Sequence, residues 1–192
     1  MIKTVAVYLG SRPGNEPKFV ANAYALGRRL AQSHIGIVYG GASVGTMKAL
    51  ADGCASAGGH ITGVFPAGFK GKKDNAEAGI HVGPEGVALT ETIIVADIAE
   101  RIATMERLSD AMVFLPGSFG TMTEVFSWIE GWQLGYHAKP AFCLDTDCYY
   151  DGLLAQFHTM ITAGFMDRDD LDLLHSATTV EDLVNLVSGM QR

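Results

Sequence analysis

The class the sequence predicts is an α/β fold with a doubly wound parallel sheet. Three observations carry it. Short apolar runs alternate with stretches whose apolar residues recur at steps of three and four, the pattern of strands separated by helices. Two glycine turns, Gly40 to Gly45 and Gly117 to Gly120, each leave the end of an apolar run and open a helical stretch. The 192 residues are 48% hydrophobic and 18% charged, enough to bury a core in one domain spanning residues 1–192 and far from the composition of a disordered chain.

The elements follow in order. Val5 to Leu9 is a short apolar strand, closed by the loop Gly10-Ser11-Arg12-Pro13-Gly14. The opening residues hold one lysine and then this short apolar run, so they read as a first strand rather than as a leader peptide. Phe19, Ala23, Leu26 and Leu30 give an amphipathic helix over residues 18–32. Ile35 to Tyr39 is the second strand, a small-residue helix runs from Val44 to Ala57, and Ile61 to Phe65 is the third strand, stopped by Pro66. Ala67 to Gly86 holds five glycines and a lysine pair without a period, and reads as a long surface loop, a kind that is often functional or mobile in compact domains. Strand Val87 to Val95, helix Asp97 to Leu108, strand Ala111 to Leu115 and helix Thr121 to Leu134 come next. Strand Pro140 to Leu144 and helices Tyr149 to Ala163 and Val180 to Met190 complete the chain. The expected architecture is Rossmann-like, with helices on both faces and the ligand outside the carboxyl ends of the strands.

Composition narrows the function. Fourteen Lys and Arg against 21 Asp and Glu, a net charge of -7, argue against a nucleic-acid polymer as partner. No apolar run approaches the ~20 residues of a membrane span. Cys54, Cys143 and Cys148 are too few and too unevenly spaced for a disulfide framework, and fit a reducing cytoplasm. The six histidines show no metal-ligand spacing, so no metal is expected; no cofactor is expected either. An anionic ligand would have to be held locally, by the free N–H groups at the start of a helix and by glycines that let the backbone approach it. Gly40 and Gly45 have P-loop spacing, but Thr46-Met47-Lys48 misplaces the lysine by two, and the first strand is not followed by a dinucleotide fingerprint.

Several motifs together are more specific. Pro116-Gly117-Ser118-Phe119-Gly120-Thr121-Met122-Thr123-Glu124 resembles the P-G-G-x-G-T-x-x-E motif of the LONELY GUY family, cytokinin riboside 5'-monophosphate phosphoribohydrolases often mislabelled as lysine decarboxylases. Gly10-Ser11, the segment Val38 to Gly45, Gly63-Val64-Phe65-Pro66 and the segment Trp132 to Pro140 resemble further motifs of that family in the same order. The resemblance implies a catalytic pair, Arg101 and Glu124, and a substrate-binding set of Ser11, Gly41, Ser43, Gly45, Gly117, Ser118, Phe119, Gly120 and Thr121. It implies hydrolysis of the N-glycosidic bond of a nucleoside 5'-monophosphate, with AMP among the candidate substrates, and a homodimer. Ile102, Ser118, Ala42 and Arg12 depart from the family pattern, and Ile102 and Ser118 leave open a nucleotide-binding protein of the same fold without catalysis. The old label would need a Schiff-base lysine, and none of the seven lysines stands in a recognisable cofactor setting.

The spacing itself gives the reading its geometry. Thr121 and Glu124 lie at i, i+3 and so share a helix face, one near the expected anion and the other a turn further along. A competing structural reading pairs Arg101 with Asp97 at i, i+4 on an exposed helix, leaves Glu124 solvated near the helix start, and packs Trp128 and Trp132 in the core.

Overall fold

The computed structural model describes residues 1–67 and 88–190. Most of the expected loop from Ala67 to Gly86 therefore lies outside the described residues. Seven parallel strands form one sheet in the order β4-β3-β2-β1-β5-β6-β7. They are β1 (Thr4–Tyr8), β2 (Gly36–Tyr39), β3 (Ile61–Pro66), β4 (Glu91–Val95), β5 (Ala111–Phe114), β6 (Ala141–Leu144) and β7 (Leu174–Ala177). The helices are α1 (Pro17–Gln32), α2 (Gly45–Ser56), α3 (Ile98–Arg107), α4 (Phe119–Gln133), α5 (Asp151–Thr162) and α6 (Val180–Gly189).

The alternation of strand side chains divides the core into two layers. Val5, Val7 and Leu9 pack with Leu26 and Leu30 of α1, Leu50 of α2 and Leu183 of α6. Ala6 and Tyr8 face the other way, among Met105 of α3, Val125 and Trp128 of α4 and Phe157 of α5. Of the residues that mark this helix in the sequence, Ala23, Leu26 and Leu30 are buried and Phe19 at its start is half-buried; the proline at residue 17 suits a first helical position with no hydrogen bond to make.

Val87 lies outside the described residues and β4 starts only at Glu91, and two further elements differ from the expectation. β7 was absent from it, because Leu-His-Ser-Ala carries two polar residues and only its pairing with β6 makes it a strand. The expected helix from Tyr149 begins at Asp151, after a short turn at residues 146–148 in which Asp147 and Cys148 take positive φ angles of 55° and 59°.

The strand order decides where a ligand can sit. β1 lies between β2 and β5, and successive connections wind outward from it in opposite directions. That is the switch point of an open parallel sheet, where a crevice forms at the carboxyl edge. The turns after β1, β2 and β5 meet there.

Candidate active site

Three turns lock together at this edge. Gly10 N–H donates to the Pro116 carbonyl at 3.2 Å, and Thr46 Oγ1 donates to the Gly10 carbonyl at 2.5 Å. Gly45 takes φ +53°, and a Cβ there would meet the backbone of Ser11 and Arg12, with Arg12 C at 2.7 Å. At Gly117 a Cβ would lie 2.7 Å from Thr121 Cβ and 3.0 Å from Gly10 N. Glycine at these positions is therefore a steric requirement of the way the turns are stacked. Thr46 enters the sequence reading only within the rejected P-loop match, and its role as a tie between turns emerges only from the fold.

The substrate-binding residues implied by the motifs fall into two groups around this junction. Ser11, Gly41, Ser43 and Gly45 come from the turns after β1 and β2; Gly117, Ser118, Phe119, Gly120 and Thr121 come from the turn after β5 and the start of α4. Ser118 is the N-cap of α4 at φ -108°, so serine in place of the family's glycine meets no left-handed backbone. Ala42 also lies outside the positive-φ residues, whereas its neighbour Gly41 is at φ +78°. The N–H groups of Phe119, Gly120 and Thr121 precede the first internal bond of α4, from Met122 N to Ser118 O, and so point out of the helix. The Thr121 hydroxyl itself is tucked under Gly117, and the Phe119 side chain is 89% exposed.

Glu124 lies one turn into α4 and is only 3% exposed. Its Oε1 accepts a hydrogen bond from Arg101 Nη2, which reaches across from α3 with its side chain 14% exposed. Asp97 does not pair with Arg101. It caps α3 instead, accepting from Glu100 N at 2.8 Å while Glu100 Oε2 accepts from Ala96 N at 2.6 Å, and this fixes the helix start one turn before Arg101. Gly40 completes the placement, because Arg101 Nη1 lies 3.3 Å from where a Cβ would be. Burial pushes the Glu124 carboxyl up to about 7, and the charge and hydrogen bond of Arg101 pull it down. A carboxyl poised near neutrality beside a fixed cation can change protonation at working pH and can stabilise positive charge that develops nearby.

Residues assigned to packing by the competing reading also find their places. Trp128 and Trp132 both donate their indole N–H to the Lys139 carbonyl, at 3.1 and 2.8 Å. His137 lies edge-on to Trp128. Lys48 pairs with Asp52 along α2, and Lys139 Nζ donates to the Glu106 carbonyl at 2.7 Å. Among the described residues no group of histidine, cysteine, aspartate or glutamate could hold a metal ion. Nor is any described helix long and apolar enough to cross a membrane.

Comparison with known proteins decides the family. A family model described as "Possible lysine decarboxylase" matches residues 47–187. A protein from Oryza sativa subsp. japonica, named "Probable cytokinin riboside 5'-monophosphate phosphoribohydrolase", is 39% identical over 188 residues, covering 98% of this chain and 80% of its own. The cytokinin riboside 5'-monophosphate phosphoribohydrolase of Rhodococcoides fascians is 37% identical over 164 residues, 85% of this chain and 78% of its own. The chain belongs to this phosphoribohydrolase family. The resemblance read from the motifs is thereby borne out over nearly the whole length. Among solved structures, a molybdenum cofactor binding protein from Rippkaea orientalis superimposes with a TM-score of 0.69 at 21% identity, over 98% of this chain and 97% of the other. At that identity the likeness concerns the fold alone.

Proposed function

We propose that this chain hydrolyses the N-glycosidic bond of a nucleoside 5'-monophosphate, giving the free base and ribose 5-phosphate. One observation carries the reading: the buried Arg101–Glu124 pair stands one turn from the free N–H groups that open α4, at the sheet's switch point. The N-terminus of α4 holds the phosphate, with Gly117, Ser118, Phe119, Gly120 and Thr121 as its turn and Ser11, Gly41, Ser43 and Gly45 as the facing wall. This places the sugar over Glu124.

Cleavage of the C1′–N bond leaves positive charge on the ribose. Ionised Glu124 stabilises that charge, orients the attacking water and accepts the proton that the water sheds as its oxygen bonds to C1′, while the departing base takes up a proton from solvent. Arg101 stays charged throughout and cannot be the acid. It orients the substrate and offsets negative charge on the phosphate or the leaving base. The substrates are cytokinin nucleotides, and AMP belongs in the same panel.

The same reading makes the protein a homodimer in the cytoplasm, acting as one domain. Exposed Phe119 and Phe126 on α4, Leu134 just past its end and Phe165 supply apolar surface for a second copy, and Phe126 and Phe165 line a groove of about 470 Å³ between α4 and α5. All three cysteines are free thiols.

The deciding experiment incubates the protein with AMP, N6-isopentenyl-AMP and other nucleoside monophosphates, and measures base and ribose 5-phosphate together. Equimolar release of the two supports the reading. A folded sample that releases neither from any nucleotide refutes it.

A further inference from the structure

Tyr8 is a buried ionisable side chain that the proposed chemistry leaves unused. It ends β1 next to the switch point and is 1% exposed, with its ring in the layer covered by α3 and α4. Its hydroxyl has no hydrogen-bond partner among the described residues, and neither does the buried Nε of Arg101. An unmatched hydroxyl in a protein interior is unfavourable by roughly 1–3 kcal/mol, so its presence beside a reactive pair calls for a use. Met105 of α3 and Val125 and Trp128 of α4 pack in the same layer as the ring, and the charges of Glu124, Arg101 and Glu106 on those two helices act on the hydroxyl. Burial, and then the Glu124 charge, hold the phenol well above its ordinary range despite Arg101, with Glu106 adding to the rise. The hydroxyl therefore keeps its proton and remains a donor.

In the free protein Arg101 supplies the donor that Glu124 needs. A substrate that engages Arg101 draws that donor toward its own oxygens. A buried carboxylate left alone would take up a proton, and its ability to stabilise positive charge would go with it. We propose that Tyr8 is a positioning residue for Glu124: in the substrate complex its hydroxyl donates to the carboxylate, holding it ionised and in place while Arg101 serves the substrate. The proposal rests on the phosphoribohydrolase reading above. It deepens that reading by dividing the support of Glu124 between two donors, one for each state.

The test compares wild type with Tyr8→Phe, which removes the hydroxyl and keeps the ring. Base release is followed from pH 5 to 9, with kcat and kcat/KM resolved separately. The ionisation of the substrate phosphate is common to both proteins and drops out of the comparison. A hydrogen bond to a carboxylate favours its charged form, so losing it moves the acid limb to higher pH. The expected result is an acid limb of kcat raised by about one pH unit in the variant, an unmoved limb of kcat/KM, and a thermal midpoint equal to wild type or higher. Unmoved limbs in both parameters overturn the proposal. So does a joint shift of both, which would mean that the hydroxyl already serves Glu124 in the free protein. A raised KM with fixed limbs would place the hydroxyl on the substrate instead, and a lowered midpoint with fixed limbs would make Tyr8 structural; either overturns it. If wild type releases no base, the underlying reading fails and takes the proposal with it, an outcome distinct from all of these.

Discussion

Replacing Glu124 by glutamine keeps the side-chain volume and removes one titrating group from the carboxyl edge of the sheet. In the folded protein, burial holds that carboxyl protonated up to about pH 7, against the pull of Arg101. In an unfolded chain glutamate ionises near ~4.3. Between those values the folded state binds the extra proton, so stability falls as pH rises. The contribution is whole below the unfolded pKa and is lost as pH climbs through the folded one. A gap of roughly two to three pKa units corresponds to something on the order of 3 kcal/mol. The assay is urea unfolding of wild type and Glu124→Gln at intervals from pH 4 to 8.5. Titration of the six histidines is shared by both proteins and cancels in the difference. Wild-type stability minus that of the variant is expected to fall across this range by on the order of 3 kcal/mol and to level off above pH 8. A difference independent of pH would refute the desolvation argument, and with it the poised state of Glu124.

Arg101→Ala removes the group that lowers the Glu124 pKa; the acid limb of its residual base release is expected at least about one unit above that of wild type, as a pH–rate profile will show. Gly45→Ala drives a methyl group into the Ser11 and Arg12 backbone at φ +53° and is expected to lower the thermal midpoint by about 5 °C or more. Gly58→Ala, at φ +67° with nothing within 4 Å of the added carbon, is its control, with an expected loss of only about 1 kcal/mol. Asp97→Ala strips the cap from α3, for a loss of about 1 kcal/mol in chemical unfolding and a several-fold drop in kcat/KM as Arg101 loses its fixed helix start.

The sheet and its helices were legible because their apolar periods are intact: Val5 to Leu9 and the Phe19, Ala23, Leu26, Leu30 series mark buried faces in plain view. β7 was not legible, since His175 and Ser176 break the apolar run and a partner strand alone makes the segment extended. The junction of turns could be placed on one edge from strand directions. Their order could not, because it depends on the crossover from β4 back to β5. Arg101 and Glu124 stand 23 positions apart, and no local spacing connects them; the family motifs named them, and the pairing appears once α3 and α4 cover the same face. Tyr8 left no functional signal at all. In a strand it reads as one more apolar residue; its unpartnered hydroxyl, which it shares with Tyr39 among the described residues, gains meaning only from its place in the layer covered by α3 and α4.

A crystal structure of the Glu124→Gln variant with AMP or N6-isopentenyl-AMP bound tests the arrangement most directly. The phosphate should accept hydrogen bonds from the N–H groups of Gly120 and Thr121, with C1′ about 3–3.5 Å from the substituted side chain. A nucleotide whose phosphate sits away from the start of α4, or whose sugar turns its C1′ from residue 124, would contradict the account.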